Sequence, residues 1–378
     1  MSLHFIFGRA GTGKTTRCCR EIQDYLKKTP GGRAYLLVPD QGTYTAEYLL
    51  AKSFPGAGFI DVTVCGFSRL AYRVFQELHS PVADALSPLG QQIILRRLLD
   101  AHKDELQVIL RAASQPHFSE KLTAFFHQLD MFLVTEDDLL AASQREGETP
   151  LGKKLADLSL LYKAYHDYLR MHFAYEGSLF DLLAREIPKS KKLRGSHIWI
   201  DGFNGMAPQK IRIVSALVHT AEEVTMTLQM DSPEEAAENP NFARPYQLYS
   251  QMQGAIRHSS SIVLTEEKRF RTSDLSLMAR HFFERHARPR PEDGRVKEGL
   301  HLITAESPKE EVALISRTIT SLVRDKGLRY RDILVLSRTP ENYSDLFTRS
   351  FATYGIPGFI DEKHPMNNHP LVMLTSFL

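Results

Sequence analysis

The sequence predicts an α/β fold: a parallel sheet interrupted by an all-helical insert, with the start of a second α/β domain behind it. Three observations predict this. Short apolar strands alternate with helices over residues 1–80. From 81 to 172 the apolar residues recur with a period of about 3.6 and no clear strand is present. Strands then return, and the Pro-, Gly- and charge-rich stretch ARPRPEDGRVKEG at 287–299 precedes a fresh strand–helix alternation.

Leu3 to Phe7 reads as a short buried strand, Gly8 to Gly13 as a loop, and Lys14 to about Lys28 as a helix. After the turn TPGGR, AYLLVPD supplies a second strand. VTVCGF gives a third, followed by the helix SRLAYRVFQEL. In the insert, QQIILRRLLDAH, SEKLTAFFHQLDMFL and LADLSLLYKAYHDYLRMHF carry helical spacing, and their aromatic residues are expected in the core. HIWIDGF and EVTMTLQMD return the chain to the sheet through β-branched and aromatic enrichment. The expected organisation is a sheet domain from 1–80 and 173–286, the insert at 81–172, a linker at 287–299, and the second domain from 300–378. In that last part LHLITA and DILVLSR are expected strands, KEEVALISRTITSLVRDKG and YSDLFTRSFATYG are expected helices, and IPGFI follows. The apolar, uncapped close HPLVMLTSFL is expected to continue into a longer chain.

Composition narrows the function classes. The 378 residues are 43% hydrophobic and 24% charged, a globular profile. A net charge of +2 excludes a polycation, so any nucleic-acid contact must come from local patches. Cys18, Cys19 and Cys65 have no zinc-type spacing, which fits a reduced cytoplasmic protein. No apolar run is long enough to span a bilayer, and no membrane role is expected. The start does not read as a signal peptide, because a strand runs straight into a glycine-rich loop. The histidines show no metal-binding pattern.

That loop carries the chemistry. GRAGTGKT places Gly8, Gly13, Lys14 and Thr15 in the spacing G-x-x-x-x-G-K-[ST], between a strand and a helix. Residues Gly8, Arg9, Ala10, Gly11, Thr12, Gly13, Lys14, Thr15 and Thr16 are therefore expected to cradle the phosphates of ATP. Glycines let successive N–H groups turn inward, and the helix start adds its positive dipole end. Lys14 is expected on the β- and γ-phosphates and Thr15 on Mg²⁺. A second magnesium ligand is expected at Asp201, where the apolar strand HIWID ends. The next residue is Gly202, where hydrolysing motors place a Glu that polarises water. Binding thus reads as intact and the general base as missing. The expected fold is a P-loop NTPase.

Further stretches resemble a known family. VTVCGFSRLAYRVF is similar to the strand end of superfamily-one DNA helicases that meets single-stranded DNA. GSLFDLLAREI resembles their helix before the magnesium strand, with Asp181 expected as a structural partner. DILVLSR resembles the strand that opens their second motor domain. Together with GRAGTGKT, LLVPDQGTYTAEY, IWIDGF and IPGFIDEKHPMNNHPLV, in that order along the whole chain, these resemble the AddB family, the B subunit of the bacterial ATP-dependent helicase/deoxyribonuclease. The resemblance implies a superfamily-one helicase-like sheet domain and the start of a second RecA-like domain. It implies catalytic roles for Lys14, Asp201 and Arg338, the last as an arginine finger on the γ-phosphate. It implies DNA contacts at Gln41, Thr43, Phe67, Ser68 and Arg69. It further implies an AddA-type partner, single-stranded DNA from duplex ends, and double-strand-break resection. A 4Fe–4S cluster is expected only in a carboxy-terminal part outside this sequence. Only seven residues precede Gly8, so the usual upstream adenine-reading segment has no room.

Two rivals belong to other classes. An autonomous helicase motor needs the Glu that Gly202 replaces. A P-loop small-molecule kinase needs a lid and a substrate carboxylate within one compact domain, which the insert and second α/β domain fit poorly.

Overall fold

The computed structural model describes residues 2–54, 61–80, 87–113, 115, 117–173, 179–256, 259–281, 299–361, 366 and 369–376. Most of the expected linker, 287–298, lies outside them. So do Gly177, Ser178 and residues 362–365 and 367–368 of the stretches that carry the resemblance. The chain divides into two units, Met1–Pro291 and Glu292–Leu378.

The first unit begins with β1 (Ser2–Gly8), α1 (Lys14–Lys28), β2 (Ala34–Leu37), α2 (Thr43–Ser53), β3 (Val62–Cys65) and α3 (Phe67–Leu78). The insert follows as α4 (Pro88–Ala101), α5 (Leu110–Ala113), α6 (Phe118–Phe132), α7 (Glu136–Glu146) and α8 (Pro150–Phe173). The chain returns through α9 (Leu179–Glu186), β4 (His197–Ile200), α10 (Pro208–Thr220) and β5 (Glu223–Leu228). It continues with α11 (Pro233–Glu238), α12 (Ala243–Ala255), β6 (Ser259–Leu264) and α13 (Ser273–His281).

The six strands of the described residues form one parallel sheet in the order β3-β2-β4-β5-β1-β6. Alternation along each strand sends side chains to two faces. Leu3, Phe5, Phe7, Ile198, Ile200, Val224 and Met226 pack with residues of α3, α9, α10 and α12. Ile6, Leu36, Val64 and Trp199 pack on the other face with Cys18, Cys19 and Ile22 of α1 and Ala46 and Leu50 of α2. Helices on both faces bury the sheet and leave its C-terminal edge for loops, where open α/β folds bind ligands. The sheet is consistent with a RecA-like fold.

The insert has its own core around Leu95, Phe126, Leu161, Tyr162 and Tyr165. Its helices are started by local chemistry. Ser87 accepts from the Gly90 N–H ahead of α4, and Thr135 and Asp138 form a reciprocal capping box on α7. The aromatic residues of FHQLDMFL and LYKAYHDYL that are most buried, Phe126, Tyr162 and Tyr165, serve this core.

In the second unit α14 (Pro308–Lys326), α15 (Ser344–Tyr354) and α16 (Pro370–Ser376) form. Among its described residues Val312, Ile319, Phe347 and Ile356 are buried, and the Ser316 and Ser350 hydroxyls meet at 2.8 Å. The strands expected from LHLITA and DILVLSR are corrected here: among the described residues these segments join no ladder. Leu302, Leu334 and Leu336 are 95%, 79% and 83% exposed. A strand holds only when a neighbour pairs its backbone groups and a layer covers its apolar face, and among the described residues these segments have neither.

Candidate nucleotide and DNA site

The candidate site is built along the C-terminal edge of the sheet, where the strand ends converge. β1 ends at Gly8, and the loop climbs to Gly13, which takes φ 88° as it hands the chain to α1. That left-handed conformation is accessible to Gly without the Cβ penalty other residues carry. Lys14 folds back over the loop, donating to the carbonyls of Gly8 (2.7 Å) and Arg9 (3.0 Å). Two of its three N–H donors are thereby used and one remains. Burial lowers the Lys14 pKa; the Arg269 charge lowers it further and Asp201 opposes both. Thr12 is buried and donates to the Arg9 carbonyl at 3.0 Å.

β4 delivers Asp201, 6% exposed, whose own N–H is held by the Leu37 carbonyl at 2.9 Å. Thr15 Oγ1 donates to Asp201 Oδ2 at 2.6 Å, and Thr227 Oγ1 donates to Asp201 Oδ1. Thr15 and Asp201, 186 positions apart in sequence, are thus brought together. Their hydroxyl and carboxylate are hard oxygen donors of the kind Mg²⁺ takes, usually with retained waters. The donor set fits that ion. Gly202 follows with φ +82° and lies against the Pro39 ring.

Sequence reasoning missed Thr227. It sits in the apolar run VTMTL and reads as a strand-forming β-branched residue. Only the topology, with β5 between β4 and β1, brings its hydroxyl to Asp201. The loop spacing puts Arg9 among the phosphate-binding residues. Its guanidinium instead grips Asp231 with two bonds of 2.7 Å and donates to the Arg280 carbonyl. Ala10, Gly11 and Thr16 lie on the loop and first helical turn, Thr16 facing solvent.

β2 and β3 are neighbours, with Leu37 opposite Cys65, so the turns that leave them lie side by side. Gln41 is exposed and Thr43 half-buried, its hydroxyl donating to the Asp40 carbonyl at 3.0 Å. The Asp40 carboxylate packs against Gly66, which fastens the two turns together. Ser68 is half-buried and Arg69 exposed on the first turn of α3. Phe67 is different. It is 3% exposed, packs in the main core and stacks obliquely on Phe203 at 5.5 Å. The DNA contact expected at Phe67 meets a ring that is packed in the core. Asp181 accepts from Gln209 at 3.1 Å, tying α9 to α10. Arg338 is exposed on the second unit.

No helix among the described residues is long and apolar enough to cross a membrane. A family model described as ADDB, N-terminal, matches residues 5–279. The chain is 36% identical to the B subunit of the ATP-dependent helicase/deoxyribonuclease of Pelotomaculum thermopropionicum, over 99% of this chain and 33% of that protein. It is 36% identical to the protein of that name in Desulforamulus reducens (99% and 33%) and 34% identical to that of Bacillus subtilis (98% and 33%). The chain spans about a third of the length of these relatives.

Proposed function

The chain belongs to the AddB amino-terminal family, and we propose that in this capacity it holds Mg²⁺·ATP in a P-loop and guides single-stranded DNA within a bacterial helicase/deoxyribonuclease. It works there with an AddA-type partner that carries the competent motor, during resection of double-strand breaks. The observation that carries this reading is the convergence of Lys14, Thr15 and Asp201 at the ends of β1 and β4, which flank β5. Magnesium, when bound, supplies charge neutralisation to the phosphates. Thr15 and Asp201 hold it, Thr227 fixes the carboxylate, and Lys14 leaves a loop carbonyl to meet a phosphate oxygen. The loop N–H groups and the start of α1 complete the cradle.

Hydrolysis is the weak part. Gly202 supplies no carboxylate to orient water, and its positive φ resists one. The nucleotide therefore acts as a structural or regulatory ligand, and the DNA side of the chain scans rather than drives. Gln41, Thr43, Ser68 and Arg69 take the strand's backbone from two turns fastened by Asp40. An autonomous motor and a small-molecule kinase are both disfavoured by the missing base and by the family.

Calorimetry with Mg²⁺·ATP tests the reading. Lys14→Ala is expected to abolish measurable binding while circular dichroism stays unchanged, because Lys14 reaches only loop carbonyls and no core. Unchanged affinity in that variant would remove the site.

A further inference from the structure

We propose that the edge of the sheet opposite the glycine-rich loop carries a second nucleic-acid surface, a basic patch that takes the phosphate backbone of double-stranded DNA. Strand starts build it, not strand ends. β2 is four residues long, which sets the two edges about 13 Å apart. β2 and β4 are neighbours with Ala34 opposite His197, so the turns that lead into them lie side by side. The Arg33 carbonyl accepts from the His197 N–H at 3.0 Å, and the Arg33 guanidinium donates to the Lys191 carbonyl at 3.3 Å. The end of α1 is tied to the same turn: the Thr29 N–H reaches the Tyr25 carbonyl and the Gly32 N–H reaches the Thr29 carbonyl, both at 2.9 Å. Lys27, Lys28, Arg33, Lys189, Lys191, Lys192 and Arg194 are all exposed on these segments.

The carboxylates around the patch do not balance it. Glu186 pairs with Lys189 at 2.7 Å. Glu77 accepts from the Ser190 hydroxyl at 2.6 Å and the Lys192 N–H at 2.9 Å, and Glu222 lies 3.6 Å from His197. Asp24 and Asp61 are exposed at the rim. Among the described residues Lys27, Lys28, Arg33, Lys191 and Arg194 form no ion pair. Lys27 and Lys28 close α1, where cations suit the negative end of the helix. Arg33, Lys191 and Arg194 sit on turns and have no such task. The Arg194 guanidinium donates to the Pro188 carbonyl at 3.3 Å, so both arginines are held by backbone and keep further donors for an anion. The patch adds no exposed aromatic ring: Tyr25 is half-buried and stacked on His197 at 4.0 Å. Unpaired bases therefore find nothing to stack on. A duplex hides its base faces and offers closely spaced phosphates, which lysines and arginines take without reading sequence. The choice of DNA over RNA rests on the proposed function.

The test uses the full chain and a labelled blunt DNA duplex of arbitrary sequence, titrated by fluorescence anisotropy across a salt series. Each lost phosphate contact lowers the slope of log affinity against log salt by about 0.9. A chain carrying Lys191→Gln, Lys192→Gln and Arg194→Gln together is expected to lose about 2 to 3 from that slope, with its circular-dichroism melt unchanged. Arg69→Ala, at the other edge of the sheet, is expected to leave the duplex slope as it is. An unchanged slope in the triple variant overturns the proposal, and the patch would then serve another polyanion. An equal loss on changing Lys121, Lys154 and Lys163 of the insert to Gln also overturns it, because overall charge would be at work. A larger loss for single strands than for the duplex overturns the choice of duplex. No duplex binding by the wild type overturns the surface outright.

Discussion

Asp201 is held by two hydroxyls, Thr15 from the loop helix and Thr227 from β5, before any ion arrives. Such a carboxylate is pre-oriented, so binding a cation costs little rearrangement. The residue after it decides what the site can do next. Gly202 has φ +82°, and a Cβ there would meet the Pro39 ring at 3.4 Å. Gly202→Glu is therefore expected not to restore turnover and to lower the melting temperature, since a non-glycine residue held off its preferred backbone region costs about 1–3 kcal/mol. Thermal melts and a phosphate-release assay on this variant check both halves. A faster ATPase with unchanged stability would contradict the strain argument. The loop residues were legible from spacing alone, because a cradle for phosphate demands glycines and a Lys in fixed register. Thr227 was not, because its partner lies far away in sequence and only strand order joins them.

Among the elements, legibility follows how a segment is held. β1, β2, β4 and β5 are apolar runs buried on both faces and announce themselves. β6 does not: its SSSIVL sequence lies exposed at the sheet edge and is kept by backbone pairing with β1. The segments LHLITA and DILVLSR carry strand-like composition yet join no ladder among the described residues, because composition cannot supply a partner. In the insert, Asp157 sits mid-helix in α8, where sequence suggests a solvated charge. It is buried instead, and its carboxylate accepts from the N–H groups of Gln107, Val108 and Ile109 at 2.8–3.1 Å. Its removal strips the partly buried Gln107 and Val108 donors of their acceptor and leaves the buried Ile109 N–H unpaired. Asp157→Ala is expected to destabilise the insert by about 3 kcal/mol or more, seen as loss of helical signal on melting, while Mg²⁺·ATP affinity holds. An unchanged melting curve would show that the turn does not need its anchor.

For the whole molecule, three buried thiols report on the integrity of the sheet domain. Burial pushes Cys65 and Cys19 up to about 11, and Cys18 well above its ordinary range. A thiol that holds its proton more tightly when folded favours the fold below its unfolded pKa, and that advantage is lost as pH rises through the folded value. Stability is therefore expected to fall between about pH 9 and about pH 11, read as melting temperature across that window. The thiols are expected to resist alkylation at neutral pH until denaturant is added. A flat melting temperature with rapid native labelling would mean that the faces of the sheet are open.

What most needs testing is that this chain binds nucleotide without using it as fuel. Steady-state ATP turnover by the full chain reads this out, at saturating Mg²⁺·ATP, with and without single-stranded DNA, at nucleotide concentrations where calorimetry shows the site filled. A missing general base forfeits about 10²–10⁴-fold in rate. The expected outcome is a filled site with slow turnover that DNA barely changes. Brisk, DNA-stimulated hydrolysis would refute this, because another carboxylate would then be serving as base and the chain would be a motor in its own right.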